Sequence, residues 1–319
     1  MSRTMAAENL AGRTIASYRL LERIGEGGTA TVYRADHPEH GRCAVKILRE
    51  RMRSAKTAVK RFLREADYGA RVRHPHVVET YDFGEAEDLY YLALEWADGE
   101  PLADYIERHK TLAPALVAHI MQQLAGALAV AHAEGIVHRD LKPENIMFNG
   151  ESRVAKLLDF GIARDQQEDP SERLTRTGFF VGSLNYVAPE ALSGALVGES
   201  ADIYSLATIA YYLLTGEHPY GGRSPREIFQ QLLTQPPRPL RETSVGARLG
   251  QGIEATIMRS LSREPTERHP SAQAFADDLQ HAAAGGPGGG GTAATAAADT
   301  GGSGLMGTIK SLFGRKREG

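Results

Sequence analysis

Two short runs, His138-Arg139-Asp140-Leu141-Lys142-Pro143-Glu144-Asn145 and Asp159-Phe160-Gly161, concentrate groups able to work on a phosphate. Within about twenty residues lie a carboxylate placed to act as a base, an ammonium, and two hard-oxygen donors, the Asn145 amide and the Asp159 carboxylate. Moving a phosphoryl group to a hydroxyl needs little covalent help and much positioning. Charge on the phosphate oxygens must be neutralised while the acceptor approaches in line. Asp140 would take the hydroxyl proton and orient the nucleophile, and Lys142 would reach the transferred phosphate. Asn145 and Asp159 offer oxygens of the kind that magnesium shares with substrate phosphates in its octahedral shell.

Such groups act only if other elements hold them against a nucleotide. Upstream, strand-like runs flank Gly25-Glu26-Gly27-Gly28-Thr29-Ala30, where glycines allow unusual backbone angles and let amide N–H groups approach phosphate oxygens. Cys43-Ala44-Val45-Lys46-Ile47-Leu48 reads as a strand whose alternation puts Ala44 and Lys46 on one face and Cys43 and Val45 on the other. On this reading Cys43 is a packed, inert thiol in preference to a redox switch. Residues 55–73 form a basic helical pattern containing Glu65 and Gly69. A glycine there signals either close packing of two elements, the favoured reading, or a helix free to swing. Leu89-Tyr90-Tyr91-Leu92-Ala93-Leu94 is a strand that enters Glu95-Trp96-Ala97-Asp98-Gly99, and residues 114–134 place Leu116, Ile120, Leu124, Leu128 and Ala131 at helical spacing. Ala188-Pro189-Glu190 and Arg263-Glu264-Pro265-Thr266-Glu267-Arg268 follow.

In type and order these motifs resemble the eukaryotic-type protein kinase family, and the Lys142-Pro143-Glu144-Asn145 run is similar to its Ser/Thr branch as found in bacteria. The resemblance covers residues 18–279 and implies an α+β, bilobal protein-kinase-like fold: a β-rich N-lobe with one regulatory helix and a mostly helical C-lobe. It implies a catalytic domain at 18–283 (N-lobe 18–94, hinge 95–99, C-lobe 100–283), and composition and residue pattern add a polar leader at 1–17, a flexible Gly/Ala linker at 284–304 and an amphipathic basic tail at 305–319.

ATP and Mg2+ are the implied cofactors, and protein Ser/Thr hydroxyls the acceptors. Asp140, Lys142, Lys46 and Glu65 take catalytic roles, Glu65 pairing with Lys46 in the active state. Ile24, Gly25, Gly27, Val32, Ala44, Lys46 and the main chain of Glu95 and Ala97 surround the nucleotide, with Leu94 as gatekeeper, while Asn145 and Asp159 bind the metal. Thr175 and Thr177 resemble autophosphorylated threonines, whose phosphates would pair with Arg139 and Arg164. Ser183 retains a hydroxyl that bridges Asp140 and Lys142, Glu190 pairs with Arg268, and Asp202 braces the catalytic-loop backbone. The sequence departs from the family at Ala30, which replaces a third glycine, and at Tyr212, where relatives commonly carry a glutamate that reads a basic substrate residue. A strongly basophilic preference is therefore not expected, although Glu144 offers a partial substitute. The rival reading is a catalytically inactive nucleotide-binding scaffold of the same fold. The presence of Lys46, Glu65, Asp140, Asn145 and Asp159 speaks against it.

With 319 residues, 42% hydrophobic and 24% charged, the composition is that of a globular protein, and a net charge of -3 gives no sign of nucleic-acid binding. One cysteine permits no intrachain disulfide and fits a reducing cytoplasm. No signal peptide or membrane span is expected, the most apolar run, 204–214, reading as a buried core helix. In the tail, Leu305, Met306, Ile309, Leu312 and Phe313 share a helical face ahead of Arg315, Lys316 and Arg317. The pattern suits weak contact with an anionic membrane, docking on a partner or on the kinase itself, or no role. Transient pairing of small lobes is a further implication of the resemblance.

Overall fold

Alternation of apolar and polar residues builds the first layer. The structure, a computed structural model, describes residues 9–158, 184–192, 197–222 and 224–285. Strands β1 (Thr14–Ile15), β2 (Tyr18–Glu26), β3 (Ala30–His37), β4 (Gly41–Leu48), β5 (Thr80–Ala86) and β6 (Leu89–Glu95) form a six-stranded antiparallel sheet in the order β1-β2-β3-β4-β6-β5. Tyr33, Cys43, Val45 and Ala93 fill the core on one face. On the other, Leu48, Leu92 and Leu94 meet Phe62 and Ala66 of α2 (Lys56–Arg71), which follows a single turn, α1 (Glu50–Arg53). Cys43 is fully buried, and desolvation together with nearby Asp36 pushes its thiol up to about 11, so the protonated, inert form prevails at neutral pH.

Residues ahead of β2 also pack onto the small lobe. Leu10 and Ile15, expected in a polar leader, are buried in the core of the sheet, and Thr14–Ile15 pairs with Tyr18 and Arg19. Two apolar residues among polar neighbours leave no periodic signal. Only tertiary packing reveals their role.

The large lobe is built around helices that are apolar on most sides, the pattern of a buried core element. Helices α3 (Leu102–His109) and α4 (Pro114–Ala133) precede a three-stranded sheet of β7 (Glu100–Pro101), β8 (Ile146–Asn149) and β9 (Val154–Leu157). They are followed by α5 (Pro189–Leu192), α6 (Glu199–Thr215), α7 (Pro225–Thr234), α8 (Gln251–Ser260) and α9 (Ala272–Ala283). Among the described residues α4 is the one helix long and apolar enough to cross a membrane, and it packs against α6, α9 and β9. Ser224 and Ser271 cap α7 and α9, their hydroxyls accepting from the N–H groups of Glu227 and Ala274.

The lobes are joined by more than the hinge. Val78 N–H donates to Leu157 O at 2.8 Å and Leu157 N–H donates to His76 O at 2.9 Å. The chain leaving α2 is thus hydrogen-bonded to β9, two residues before Asp159.

Candidate active site

Strand register decides what faces the cleft. Lys46 lies between Val32 of β3 and Leu92 of β6, and Ala44 lies between Arg34 and Leu94. Alternation sinks Cys43, Val45 and Ile47 into the core and leaves Ala44 and Lys46 half-buried on the opposite face. Lys46 Nζ stands 3.5 Å from Glu65 Oε1, so the strand cation meets the carboxylate of α2.

Three observations bear on where the nucleotide expected from the resemblance would sit. Ile24, at the entry to the glycine turn, is 47% exposed, the one large hydrophobic side chain so exposed among the described residues. It is an apolar surface suited to cover a flat base. The N–H of Glu95 is engaged by Glu79 O at 2.8 Å, while Ala97 N–H makes no backbone hydrogen bond among the described residues and remains able to donate. Ala44 and Leu94 supply an apolar back wall, one strand pair apart.

The catalytic loop is a dense polar cluster. Lys142 Nζ is 3.0 Å from Asp140 Oδ2, and Asn145 Nδ2 donates to the same oxygen at 2.9 Å and to Asp140 O at 2.8 Å. With its nitrogen committed to Asp140, Asn145 presents an amide oxygen, the donor type a hard divalent cation takes. That chemistry fits the expected metal. Its second expected ligand, Asp159, lies outside the described residues, as do Arg164, Thr175, Thr177, Ser183 and segments 286–304 and 305–319.

What holds this loop comes from α6. Asp202, fully buried, accepts from the N–H of His138 at 2.8 Å and of Arg139 at 2.9 Å. Arg139 has a φ of 65°, a left-handed conformation uncommon outside glycine, and the paired backbone bonds to one carboxylate keep it there. His132 of α4 was not singled out in the sequence, yet its Nε2 lies 2.8 Å from Asp202 Oδ2 and completes the brace. The available signal was an imidazole in the last turn of a mostly apolar helix.

Further out, Glu190 and Arg268 meet as a bidentate pair at 2.7 and 2.8 Å. The remaining guanidinium donors reach the carbonyls of Ser200, Ser262 and Arg263, so all five N–H groups of a fully buried side chain are satisfied. Tyr212 stacks on His218 with ring centroids 4.5 Å apart. Burial, reinforced by Glu107 and Glu144, raises its hydroxyl above the ordinary tyrosine value. Position 212 therefore presents an aromatic wall with carboxylates nearby.

Comparison with known proteins adds to this geometry. A family model described as "Protein kinase domain" matches residues 18–280. Serine/threonine-protein kinase pkn3 of Myxococcus xanthus is 38% identical over 285 residues, which cover 87% of this chain and 52% of that protein. Serine/threonine-protein kinase PrkC of Bacillus subtilis is 35% identical over 276 residues, 86% of this chain and 42% of that one. The chain thus spans about half or less of the length of these relatives. Among solved structures, the PknI kinase domain of Mycobacterium tuberculosis superposes with a TM-score of 0.66 at 30% identity, covering 87% of this chain and 100% of that domain.

Proposed function

The chain belongs to the protein kinase family, and from that premise we propose that it transfers the γ-phosphoryl group of ATP to serine and threonine hydroxyls of proteins, its own activation segment included. The observation that carries the proposal is the convergence of Lys142 and Asn145 on the Asp140 carboxylate, on a backbone braced by Asp202.

In this reading Asp140 accepts the proton of the incoming hydroxyl while Lys142, 3.0 Å away, balances charge as it passes to the transferred phosphate. Lys46 holds the α- and β-phosphates, and Glu65 keeps its ammonium aimed. Asn145 and Asp159 would hold Mg2+, which when bound neutralises charge on the phosphate oxygens. Glu95 and Ala97 offer main-chain groups to the adenine, and Ile24, Val32 and Ala44 enclose it. Thr175 and Thr177 are proposed as the regulatory phosphosites, with Arg139 and Arg164 as their partners.

We place the domain in the cytoplasm, where ATP is available, and assign to segment 305–317 a contact with anionic membrane or a partner. Vesicle co-sedimentation of the full chain against a chain ending at Gly304 tests the lipid contact, and equal binding excludes it.

The test of function is ATP-dependent phosphate incorporation, read by mass spectrometry of the protein and of an added Ser/Thr substrate. Wild type incorporates phosphate, with Thr175 and Thr177 among the modified residues, and Asp140→Asn lowers the rate by roughly 10²–10⁴ without changing the melting temperature. Nucleotide binding without incorporation in wild type would instead support an inactive scaffold.

A further inference from the structure

The carbonyls of Gly27, Gly28 and Thr29 are three consecutive acceptors at the tip of the glycine turn, and all three are taken by two arginines just beyond β4. Arg49 Nη1 donates to Gly27 O at 3.1 Å, Arg51 Nη2 to Gly28 O at 2.8 Å, and the Arg49 N–H to Thr29 O at 3.0 Å. Arg49 is itself fixed from the other side, its Nη2 lying 2.8 Å from Glu26 Oε1, while Arg23 Nη1 donates to Glu26 Oε2 at 2.9 Å. The turn closes on itself through Gly27 N–H to Ala30 O at 2.9 Å.

These contacts have a directional consequence. In a trans peptide the C=O of one residue and the N–H of the next lie in one plane and point in opposite directions. The Gly27 and Gly28 carbonyls drawn toward the guanidiniums, and the Thr29 carbonyl drawn toward the Arg49 backbone, therefore turn the N–H groups of Gly28, Thr29 and Ala30 the other way. A row of oriented N–H groups is a surface for anionic oxygens. A Cβ built on Gly28 would meet nothing within 4 Å, so side-chain packing at this residue does not set the orientation.

We infer that Arg49 and Arg51 are positioning residues for the phosphates of the nucleotide: they clamp the turn by its carbonyls so that its amides face the phosphate chain. Their charges never touch the ligand, and they act through the backbone of residues 27–29. The inference rests on the nucleotide-binding reading above and adds to it a device that pre-orients the loop before ATP arrives.

Calorimetric titration of the full chain with ATP and, separately, with adenosine tests it. In the Arg49→Met/Arg51→Met variant, ATP binding weakens roughly tenfold, the worth of two modest hydrogen bonds. Adenosine, which lacks phosphates, binds as in wild type. Steady-state assays show the same split, the KM for ATP rising while kcat and the KM for protein substrate change little. Arg51→Ala, at an exposed position, gives a smaller shift of the same kind and guards against a double variant that fails to fold. Equal loss for ATP and adenosine would mean that the arginines merely hold the small lobe together, and undiminished ATP binding would mean that they orient nothing; either overturns the clamp. Wild-type protein that binds neither ligand would defeat the nucleotide reading together with the clamp.

Discussion

The two walls of the cleft are held by different physics. Behind the catalytic loop, Asp202 and Arg268 are completely buried and saturated with hydrogen bonds, and fourteen of the seventeen residues of α6 are buried. On the nucleotide side, Lys46 and Glu65 meet at 3.5 Å with side chains 15% and 22% exposed, and of the sixteen residues of α2 only Phe62 and Ala66 are buried. Buried, saturated groups have one low-energy arrangement, whereas contacts shared with water exchange partners at little cost. The protein thus fixes the backbone that carries Asp140 and Lys142, whose own side chains are 22% and 20% exposed, and leaves more adjustable the helix that carries Glu65.

The largest expected effect breaks this asymmetry directly. Arg268→Ala removes the bidentate partner of the mostly buried Glu190 carboxylate and the donors to three backbone carbonyls, and should cost about 3–5 kcal/mol in urea unfolding. Glu65→Gln, on the water-shared side, should cost no more than about 1 kcal/mol while lowering phosphate transfer. Similar losses for the two would show that the walls are held alike.

Titration sharpens the comparison next. His218 packs in the large lobe between Tyr212 and Tyr186, its Nδ1 has no hydrogen-bond partner among the described residues, and desolvation lowers its pKa to about 4. The unfolded chain keeps the ordinary value near 6.5, so between these limits it binds more protons than the folded chain. Stability is complete above about pH 6.5 and falls as pH drops toward 4. Between pH 7.5 and 5 the loss from this one group is about 2 kcal/mol. The slope of unfolding free energy against pH should flatten by that amount in His218→Phe. An unchanged slope would mean that the ring is already hydrated and the large lobe less dry than its burial indicates.

How far the sequence revealed each wall follows the same division. Asp140, Lys142 and Asn145 lie within six residues, so types and spacing announce them. The pairing of Glu190 with Arg268 could be anticipated from motif order, but the carbonyls of Ser200, Ser262 and Arg263 could not, because carbonyl direction is set by tertiary packing. Asp202 was legible as a brace, while its third partner, His132, was hidden because an imidazole on a mostly apolar helix most often packs without a role. In the small lobe, Arg49 and Arg51 look like solvated charges at a strand end, and only the turned carbonyls of residues 27–29 give them a task. Leu10 and Ile15 escaped notice because two isolated apolar residues have no period.

The smallest effect addresses how adjustable the nucleotide wall is. Gly69 lies four residues after Glu65 in α2, and a Cβ placed on it would come within 2.9 Å of Thr80 Oγ1 on β5. This favours close packing over a helix weakened so that it can swing. The two explanations separate in a double-mutant cycle. If packing is the reason, Gly69→Ala in wild type is nearly neutral, because the helical gain of about 0.5–1 kcal/mol is offset by displacing the threonine hydroxyl. In a Thr80→Ala background, where that hydroxyl is gone, the same substitution should stabilise by about 0.5–1 kcal/mol and leave phosphate transfer by unphosphorylated protein unchanged. If mobility is the reason, Gly69→Ala should raise that basal transfer in both backgrounds, because a stiffer α2 holds Glu65 against Lys46 more of the time. Thermal unfolding of the four proteins, with basal incorporation measured on each, decides between a helix that is adjustable only through the half-buried Lys46–Glu65 contact and one that also bends at its own glycine.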